Sequence, residues 1–596
     1  MKFNNKNSRL IPIIISISIV VGIVIGTFYT KHFSGNKLGI INGSTNKITA
    51  LLRIINDQYV DTVNMNNLVE NAIPLILSEL DPHSKYIPAK DLEATNSELE
   101  GSFGGVGIQF SIQKDTIHVN NIVKGGPSEK VGVLPGDRIV AINDTSFVGK
   151  IVTNDESMRR LKGPKGTKVK LSIKRMGKPK LLSFVVVRGE IPQTSVDASY
   201  MIAPTIGYIY ISKFGRTTHV EMLNALAMLS HKGCKSLIVD LRGNTGGYMD
   251  AAVEMVNEFL KKGALIVYTQ GHKFPRTEEY ANGTGSFQSL PITVLVDETS
   301  ASASEIFTGA IQDNDRGTVI GRRTFGKGLV QQPIEFSDGS AIRLTVARYY
   351  TPSGRCIQRK YTSGNDENYE MDLVNRFEHG EFFSKDSIKL DKSKPYHTVL
   401  GRTVYGGGGI MPDVFVPEDT AKVTSYYRTI VNDALDIMFG FTYTDANRAT
   451  LNKYKNVDDL VSYLKTQGLL DKLADYAAKN GIKRRNLMLT RSHEILEKRL
   501  FGRIIYNVLG DEASMEYLNE DDPTVLTAVN ILKNGKAFPS KPSSKNSAWI
   551  PYRVDDEDML AQITTPWGKM EANQYAMLMS CNICPDMILL PIYYWV

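Results

Sequence analysis

The sequence predicts a multidomain α/β protein: an α/β core with a mainly parallel sheet, an inserted β-rich unit, and helical N-terminal and C-terminal regions. Three observations lead there. From about residue 200, apolar runs alternate with amphipathic stretches: IGYIYI (206–211), HVEMLNALAMLSHKG (219–233), SLIVDL (236–241), MDAAVEMVNEFLKKG (249–263), ITVLVD (292–297) and SEIFTGAIQDN (304–314). Apolar strands separated by helices belong to a parallel sheet covered on its faces. Residues 99–190 change character. Glycines cluster in GSFGGVGIQF (101–110), and the alternating runs TIHVNNIV, DRIVAIND, KVKLSIKR and LLSFVVV follow, the pattern of a small β unit. Residues 37–98 and 421–535 place apolar side chains three and four apart, as in ITALLRIINDQYV (48–60) and LVENAIPLILSEL (68–80), which is the helical period.

These boundaries divide the 596 residues into a basic N-terminus (1–9), an apolar segment (10–30), a helical segment (37–98), the β-rich unit (99–190), the core (191–420), a helical region (421–535) and an irregular tail (536–596). A polar stretch at 359–395 reads as an insertion in the core. Lys2, Lys6 and Arg9 precede 19 residues without charge, Leu10 to Phe28. That length suits a single membrane span, and the preceding cations place the N-terminus in the cytoplasm. A transmembrane signal anchor is therefore expected over 10–30, with the rest of the chain outside; a long cleaved signal peptide is the alternative.

Composition excludes several classes. With 42% apolar and 22% charged residues the chain is neither disordered nor fibrous. A net charge of +7 is mild over this length, and the densest basic cluster is Lys483-Arg484-Arg485, so no nucleic-acid partner is expected. Four cysteines are too few for a disulfide scaffold. Cys581 and Cys584 have C-x-x-C spacing without the strand-helix context of a redox motif, and Cys234 and Cys356 read as free core residues. The nine histidines are scattered and build no metal motif, so neither metal nor cofactor is expected.

Ligands of open parallel sheets gather at the carboxyl ends of the strands. Two loops there stand out: DLRGNTGG (240–247) after SLIV, and ETSASASEI (298–306) after ITVLV. The first offers backbone N–H groups through Gly243, Gly246 and Gly247. The second sets three serines at a helix N-terminus, where free N–H groups and the dipole favour negative charge. Hydroxyls with convergent N–H donors are the ingredients of acyl transfer. Taken singly, the serines can also be a capping box with Glu305, and GNTGG an ordinary turn. A hydroxyl nucleophile needs a base. Lys327, between Gly326 and Gly328 and followed by Leu329 and Val330, can serve if desolvation lowers its pKa.

SASASEI with GAIQD, TFGKGLVQ and the upstream DLRGNTGG together resemble the carboxy-terminal processing (tail-specific) proteases, Ser/Lys peptidases that carry a PDZ domain. SELDPHSKYI (78–87), GPSEKVGVLPGDRIVAIND (126–144), YYTPSGRCIQ (349–358) and GGGGIMPDVFV (406–416) extend the resemblance over about residues 40–420. It implies that Ser302, which stands 25 residues before Lys327, is the nucleophile, Lys327 the general base and Gln331 the residue that orients it. Ser300 and Ser304 are then structural, with Ser304 a helix cap. The N–H groups of Ala303 and of Gly246 or Gly247 would form the oxyanion hole. Residues 327–331 as a straight strand would hold Lys327 and Gln331 about 13 Å apart. The orienting role therefore calls for a helical turn or a sharp bend.

The resemblance also implies that Gly104, Gly105, Val106 and Gly107, with Ile108 opening a strand, bind a substrate's C-terminal tail by strand addition. Arg159, Arg160 and Lys162 on the flanking helix either attract a carboxylate or form a solvated face. The expected activity is that of a membrane-anchored serine endopeptidase trimming proteins with apolar C-terminal tails. It would sit in a bacterial inner membrane through residues 10–30, with its catalytic part in the periplasm. A non-catalytic PDZ scaffold is the alternative. The 359–395 insertion and the region after 420 are available for gating, for an adaptor or for a homo-oligomer. The apolar stretch Leu589–Val596 is expected as a packing segment; occupancy of the chain's own groove is the sharper alternative.

Overall fold

Every residue of the strands Ser236–Asp240 and Ile292–Val296 is buried, as strands covered on both faces require. They form the middle of a six-stranded sheet ordered Val196–Ala203, Ile206–Ile211, Ser236–Asp240, Ile292–Val296, Thr318–Gly321 and Val414–Phe415. Its first pairing is antiparallel and the remaining four are parallel. A mainly parallel description does not extend to the chain as a whole, because the pairings in the other sheets are antiparallel. The physical reason is connectivity: short turns join half of those strand pairs, and only a crossover can return a chain parallel to itself.

The computed structural model describes residues 16–24, residues 47–541 apart from 98, 114, 176, 365–368 and 390, and residues 594–595. They fall into two units, 1–75 and 76–596. The first holds the helix Lys47–Gln58 and most of Met65–Ser78.

In the second unit, alternate residues of the central strands point to opposite faces of the sheet, and different helices receive them. Leu237, Val239 and Val294 pack with Met222, Leu226, Met255, Phe307 and Ile311, from the helices Thr218–His231, Met249–Asn257 and Ala303–Asp313. Ile238, Leu295 and Ile320 pack instead with Val525, Ala528, Ile531 and Leu532 of the helix Pro523–Lys533. Burying each such side chain stabilises the fold by roughly 1.5–3 kcal/mol. The far helical region thus provides the second cover of the core sheet.

The β-rich unit is an antiparallel sheet, Ile108–Gln113, Thr116–Ile122, Arg138–Ile142, Lys168–Lys174 and Leu182–Val187, closed over Ile108, Phe110, Phe147, Leu161 and Leu171. It meets the helical region as well. Gln109 donates to the Tyr506 hydroxyl, the His118 ring stands edge-on to Phe441 at 5.7 Å, and Arg138 lies 3.8 Å from Asp445.

The expected single-pass membrane location is corrected. Among the described residues no helix is long and apolar enough to cross a membrane. Of the 10–30 segment only residues 16–24 are described, and they are helical. Cys234 and Cys356 are free and half-buried, while Cys581 and Cys584 lie outside the described residues.

One buried ion pair ties the end of the Ala303–Asp313 helix to the loop after the strand Ala341–Tyr350. Arg355 donates to Asp313 and Gln312 at 2.7 Å each and to the Tyr405 carbonyl at 3.0 Å, and neither Arg355 nor Asp313 has exposed side-chain surface. Removing one partner leaves an uncompensated buried charge. Arg355→Leu is expected to destabilise the protein by about 3–5 kcal/mol, measured by urea denaturation.

Candidate active site

The two loops singled out in the sequence are stitched together by their polar residues. Ser300 donates its hydroxyl to the Leu241 carbonyl at 2.8 Å, and Ser304 donates to the Asn244 carbonyl at 2.8 Å. Asn244 O also accepts the Ala301 N–H at 3.0 Å, and Asp297 accepts the Gly243 N–H at 3.0 Å. Ser304 is therefore not the helix cap. Ser302 holds that position, and Ser304 sits inside the first turn with its hydroxyl committed across to the other loop. The Ser302 hydroxyl is donated to no group among the described residues. Ser302 is half-buried, with φ +56°, in the left-handed region that a serine rarely adopts.

Glu305 explains how that conformation is held. Its carboxylate is fully buried and accepts four donors: the N–H of Ser302 at 2.9 Å, of Lys327 at 2.8 Å and of Gly326 at 2.8 Å, and the Thr324 hydroxyl at 2.6 Å. One side chain thus fixes both the serine loop and the lysine loop. Tyr349 repeats the arrangement with opposite polarity, its hydroxyl bonding to the carbonyl of Ser302 at 3.0 Å and also to that of Lys327. Burial pushes the Glu305 carboxyl up, opposed by its donors. Sequence reading noticed this residue only as a capping-box partner.

Lys327 is largely withdrawn from water, and that burial pushes its ammonium below the usual lysine range. Arg343 and Lys85, register partners on adjoining strands, push in the same direction, and Glu305 and Asp81 oppose. Beside it, His83 is lowered to about 3, first by burial and then by the Lys327 charge, so its ring stays neutral.

Residues 327–331 contain no helical turn. A strand runs Leu329–Glu335, its register broken between Val330 and Gln331. The side-chain amide of Gln331 donates to the His83 carbonyl. Gln331 therefore braces the Asp81–Ser84 turn, which Asp81 closes by accepting the N–H groups of His83 at 2.9 Å and Ser84 at 3.0 Å.

Gly246 and Gly247 are each required by space. A Cβ on Gly246 would stand 2.7 Å from the Ser302 Cβ and 3.0 Å from the Ala303 nitrogen; one on Gly247 would stand 2.1 Å from the Phe214 carbonyl. The Gly246 N–H is spent on Asn244 Oδ1 at 2.9 Å. Ala303, in the first helical turn, has no intrahelical acceptor for its N–H. Tyr248, next to Gly247, donates to Glu100 at 2.9 Å, and Glu100 also pairs with Arg216 at 2.8 Å. The approach to the β-rich unit is thereby anchored at the glycine loop.

The polar 359–395 stretch packs against the lysine loop. Arg359 lies 3.8 Å from the ring centres of both Phe325 and Tyr369, and the Tyr369 hydroxyl meets the His83 ring at 2.8 Å. Arg376 and Arg323 converge on Glu381 at 2.7 and 2.6 Å, and Arg376 also donates to the Thr324 carbonyl at 3.1 Å. None of these residues was singled out in the sequence, because charge and polarity there read as solvation.

Gly104, Gly105, Val106, Gly107 and Ile108 lie at the start of the β-rich unit, from the strand Ser102–Gly105 into the strand Ile108–Gln113. Arg159 and Arg160 on the helix Asn154–Leu161 are both engaged by Glu156, at 2.7 and 2.6 Å, and Lys162 stands 4.1 Å over the Phe103 ring. These cations thus already have partners.

Glu305→Gln keeps the shape but replaces two acceptor positions with donors. It is expected to lower peptidase turnover by about 100-fold while costing about 1–3 kcal/mol in stability, read by steady-state kinetics alongside urea denaturation.

Comparison with known proteins places the chain among peptidases. Residues 205–370 match Peptidase family S41, residues 104–186 match the PDZ domain, and residues 426–510 match a family of unknown function. The chain is 33% identical over 348 residues to the carboxy-terminal processing protease CtpB of Bacillus subtilis, covering 58% of this chain and 71% of that protein. It is 35% identical over 361 residues to a probable CtpA-like serine protease of Staphylococcus aureus, covering 60% of this chain and 71% of the relative. Among solved structures, the photosystem II D1 C-terminal processing protease aligns at 28% identity and a TM-score of 0.30, over 51% of this chain and 88% of that one. The chain belongs to the carboxy-terminal processing protease family and is a serine-type peptidase with a PDZ domain.

Proposed function

We propose that the protein cleaves polypeptides near their C-termini with Ser302 as nucleophile and neutral Lys327 as general base, on substrates whose apolar tails the PDZ domain takes up. The observation that carries this reading is the shared anchorage of Ser302 and Lys327 on Glu305 and Tyr349, together with the burial that depresses Lys327. Lys327 takes the Ser302 proton as the hydroxyl oxygen attacks the scissile carbonyl. The resulting ammonium then passes that proton to the leaving amine, and water, deprotonated by the same lysine, releases the acyl group.

For the oxyanion, the assignment is Ala303 N–H with Gly247 N–H, because Gly246 already donates to Asn244. Gly246 then serves by its missing side chain, letting the glycine loop close on Ser302. One such donor is typically worth about 3–4 kcal/mol of barrier. Gln331 acts on Lys327 indirectly, through the Asp81–Ser84 turn whose charged and neutral groups surround the ammonium.

A loosely folded substrate with an apolar tail, its carboxylate free or amidated, tests the reading. Wild type is expected to cleave it and Ser302→Ala to leave it intact. Equal cleavage by both would remove Ser302 as nucleophile, and indifference to amidation would remove tail recognition.

The pH profile tests the base. A lysine lowered by burial is charged, and inactive as a base, below its own pKa. The rate is therefore expected to rise with pH along a limb whose midpoint lies below the ordinary lysine value of 10.5. Lys327→Arg, which stays charged, is expected to lose roughly 100-fold to 10,000-fold in rate at every pH tested.

A further inference from the structure

A strand that opens a PDZ groove has one edge paired within its own sheet and the other free for an incoming peptide. Here the strand Ile108–Gln113 pairs on one edge with Thr116–Ile122. On its other edge lies a second strand of this same chain, Tyr594–Trp595, paired antiparallel with Tyr594 opposite Phe110 and Trp595 opposite Gln109. Its direction matters. Going from Tyr594 to Trp595, the partner changes from Phe110 to Gln109, so the segment runs toward the Gly104–Gly107 loop. Strand addition gives a substrate tail this same polarity, with its end at that loop.

The surroundings favour occupancy. Ile108 and Phe110 face the core of the β unit, while Gln109 faces the helical region, where its amide donates to Tyr506. The edge is therefore held rigidly between two packed faces, ready to accept a strand without rearrangement. An unpaired edge exposes a row of N–H and C=O groups, which a tethered segment of the same chain satisfies at high effective concentration. The N–H groups of Val106 and Gly107 have no acceptor among the described residues and remain for a ligand's end.

We propose that the segment containing Tyr594 and Trp595 is an intramolecular ligand of the PDZ groove, which a substrate tail must displace from the edge of Ile108–Gln113. The inference rests on the assignment of this groove to substrate tails in the proposed function. It makes the groove self-masked: a substrate competes with a strand that is always present, and weakly binding tails are refused.

The test reads binding rather than cleavage, so that it stands apart from the Ser/Lys assignment. A fluorescent peptide LLPIYYWV, matching residues 589–596, is titrated into full-length Ser302→Ala, into Ser302→Ala lacking residues 589–596, and into full-length Ser302→Ala carrying Tyr594→Pro. Proline removes the N–H at a paired position while keeping the whole chain. Both altered chains are expected to bind the peptide about tenfold tighter or more than the unaltered chain, with unchanged circular dichroism. Equal affinity on all three would overturn the proposal, as would no binding to any of them. Masking that grows with protein concentration and accompanies a dimer on sizing would overturn the intramolecular assignment in favour of a second copy. Tight binding to the truncated chain together with no cleavage by its Ser302-containing counterpart would sink the Ser/Lys reading and leave this one standing.

Discussion

The carboxylate of Glu305 is the constraint on which the rest of the site depends. It is buried without a cation among its hydrogen-bond partners, and its charge is distributed over three backbone N–H groups and one hydroxyl from two distant loops. Desolvating a carboxylate is costly unless such donors surround it. The folded chain therefore cannot let either loop drift without exposing that cost. Strain at Ser302 and the placement of Lys327 are both maintained by this one group. The remaining contacts, Tyr349 on the two carbonyls and Ser300 and Ser304 on the glycine loop, reinforce a geometry already set.

Around that centre the fold supplies dryness. Helices cover one face of the central sheet and the Pro523–Lys533 helix the other, while the 359–395 stretch closes over the lysine loop with stacked Arg359 and the Arg376–Glu381–Arg323 cluster. A lysine is useful as a base only where water is scarce. For Lys327 withdrawal from water is the leading cause of the lowered pKa, and the nearby charges of Arg343 and Lys85 act in the same direction.

Much of this was legible in the sequence, for reasons that can be stated. Alternating apolar runs between 206 and 314 carry the period of strands and helices, so three strands of the central sheet and its first helical cover could be read directly, while Val196–Ala203, Thr318–Gly321 and Val414–Phe415 could not. Residue type and placement brought out the loop of three serines, Lys327 and the glycine loop, and the family resemblance alone singled out Ser302 among the serines. What was hidden depends on contacts distant in sequence. Glu305 has the same sequence signature as a plain cap, and only its link to residues 324–327 distinguishes it. Arg376 and Glu381 look solvated until their partner Arg323 is seen beside them. Pro523–Lys533 shows helical periodicity but carries no sign of which sheet it covers. The antiparallel majority of pairings escaped because the reading weighed the strand-helix alternation and neglected the turns. The membrane span was inferred from hydropathy over 10–30, of which the described helix is only a part.

One contact bears on when the enzyme can exist as such. Arg242, in the loop that carries Gly246 and Gly247, is gripped between Asp240 at 2.6 Å and Asp522 at 2.7 Å. The first of those carboxylates is two residues away and the second is 280 residues later in the chain. A ribosome makes Asp522 long after the serine and the lysine have emerged. Until then Arg242 lacks one of its two carboxylates and the central sheet lacks one of its covers. The glycine loop and the central sheet therefore reach their full set of contacts only at the closing stage of synthesis.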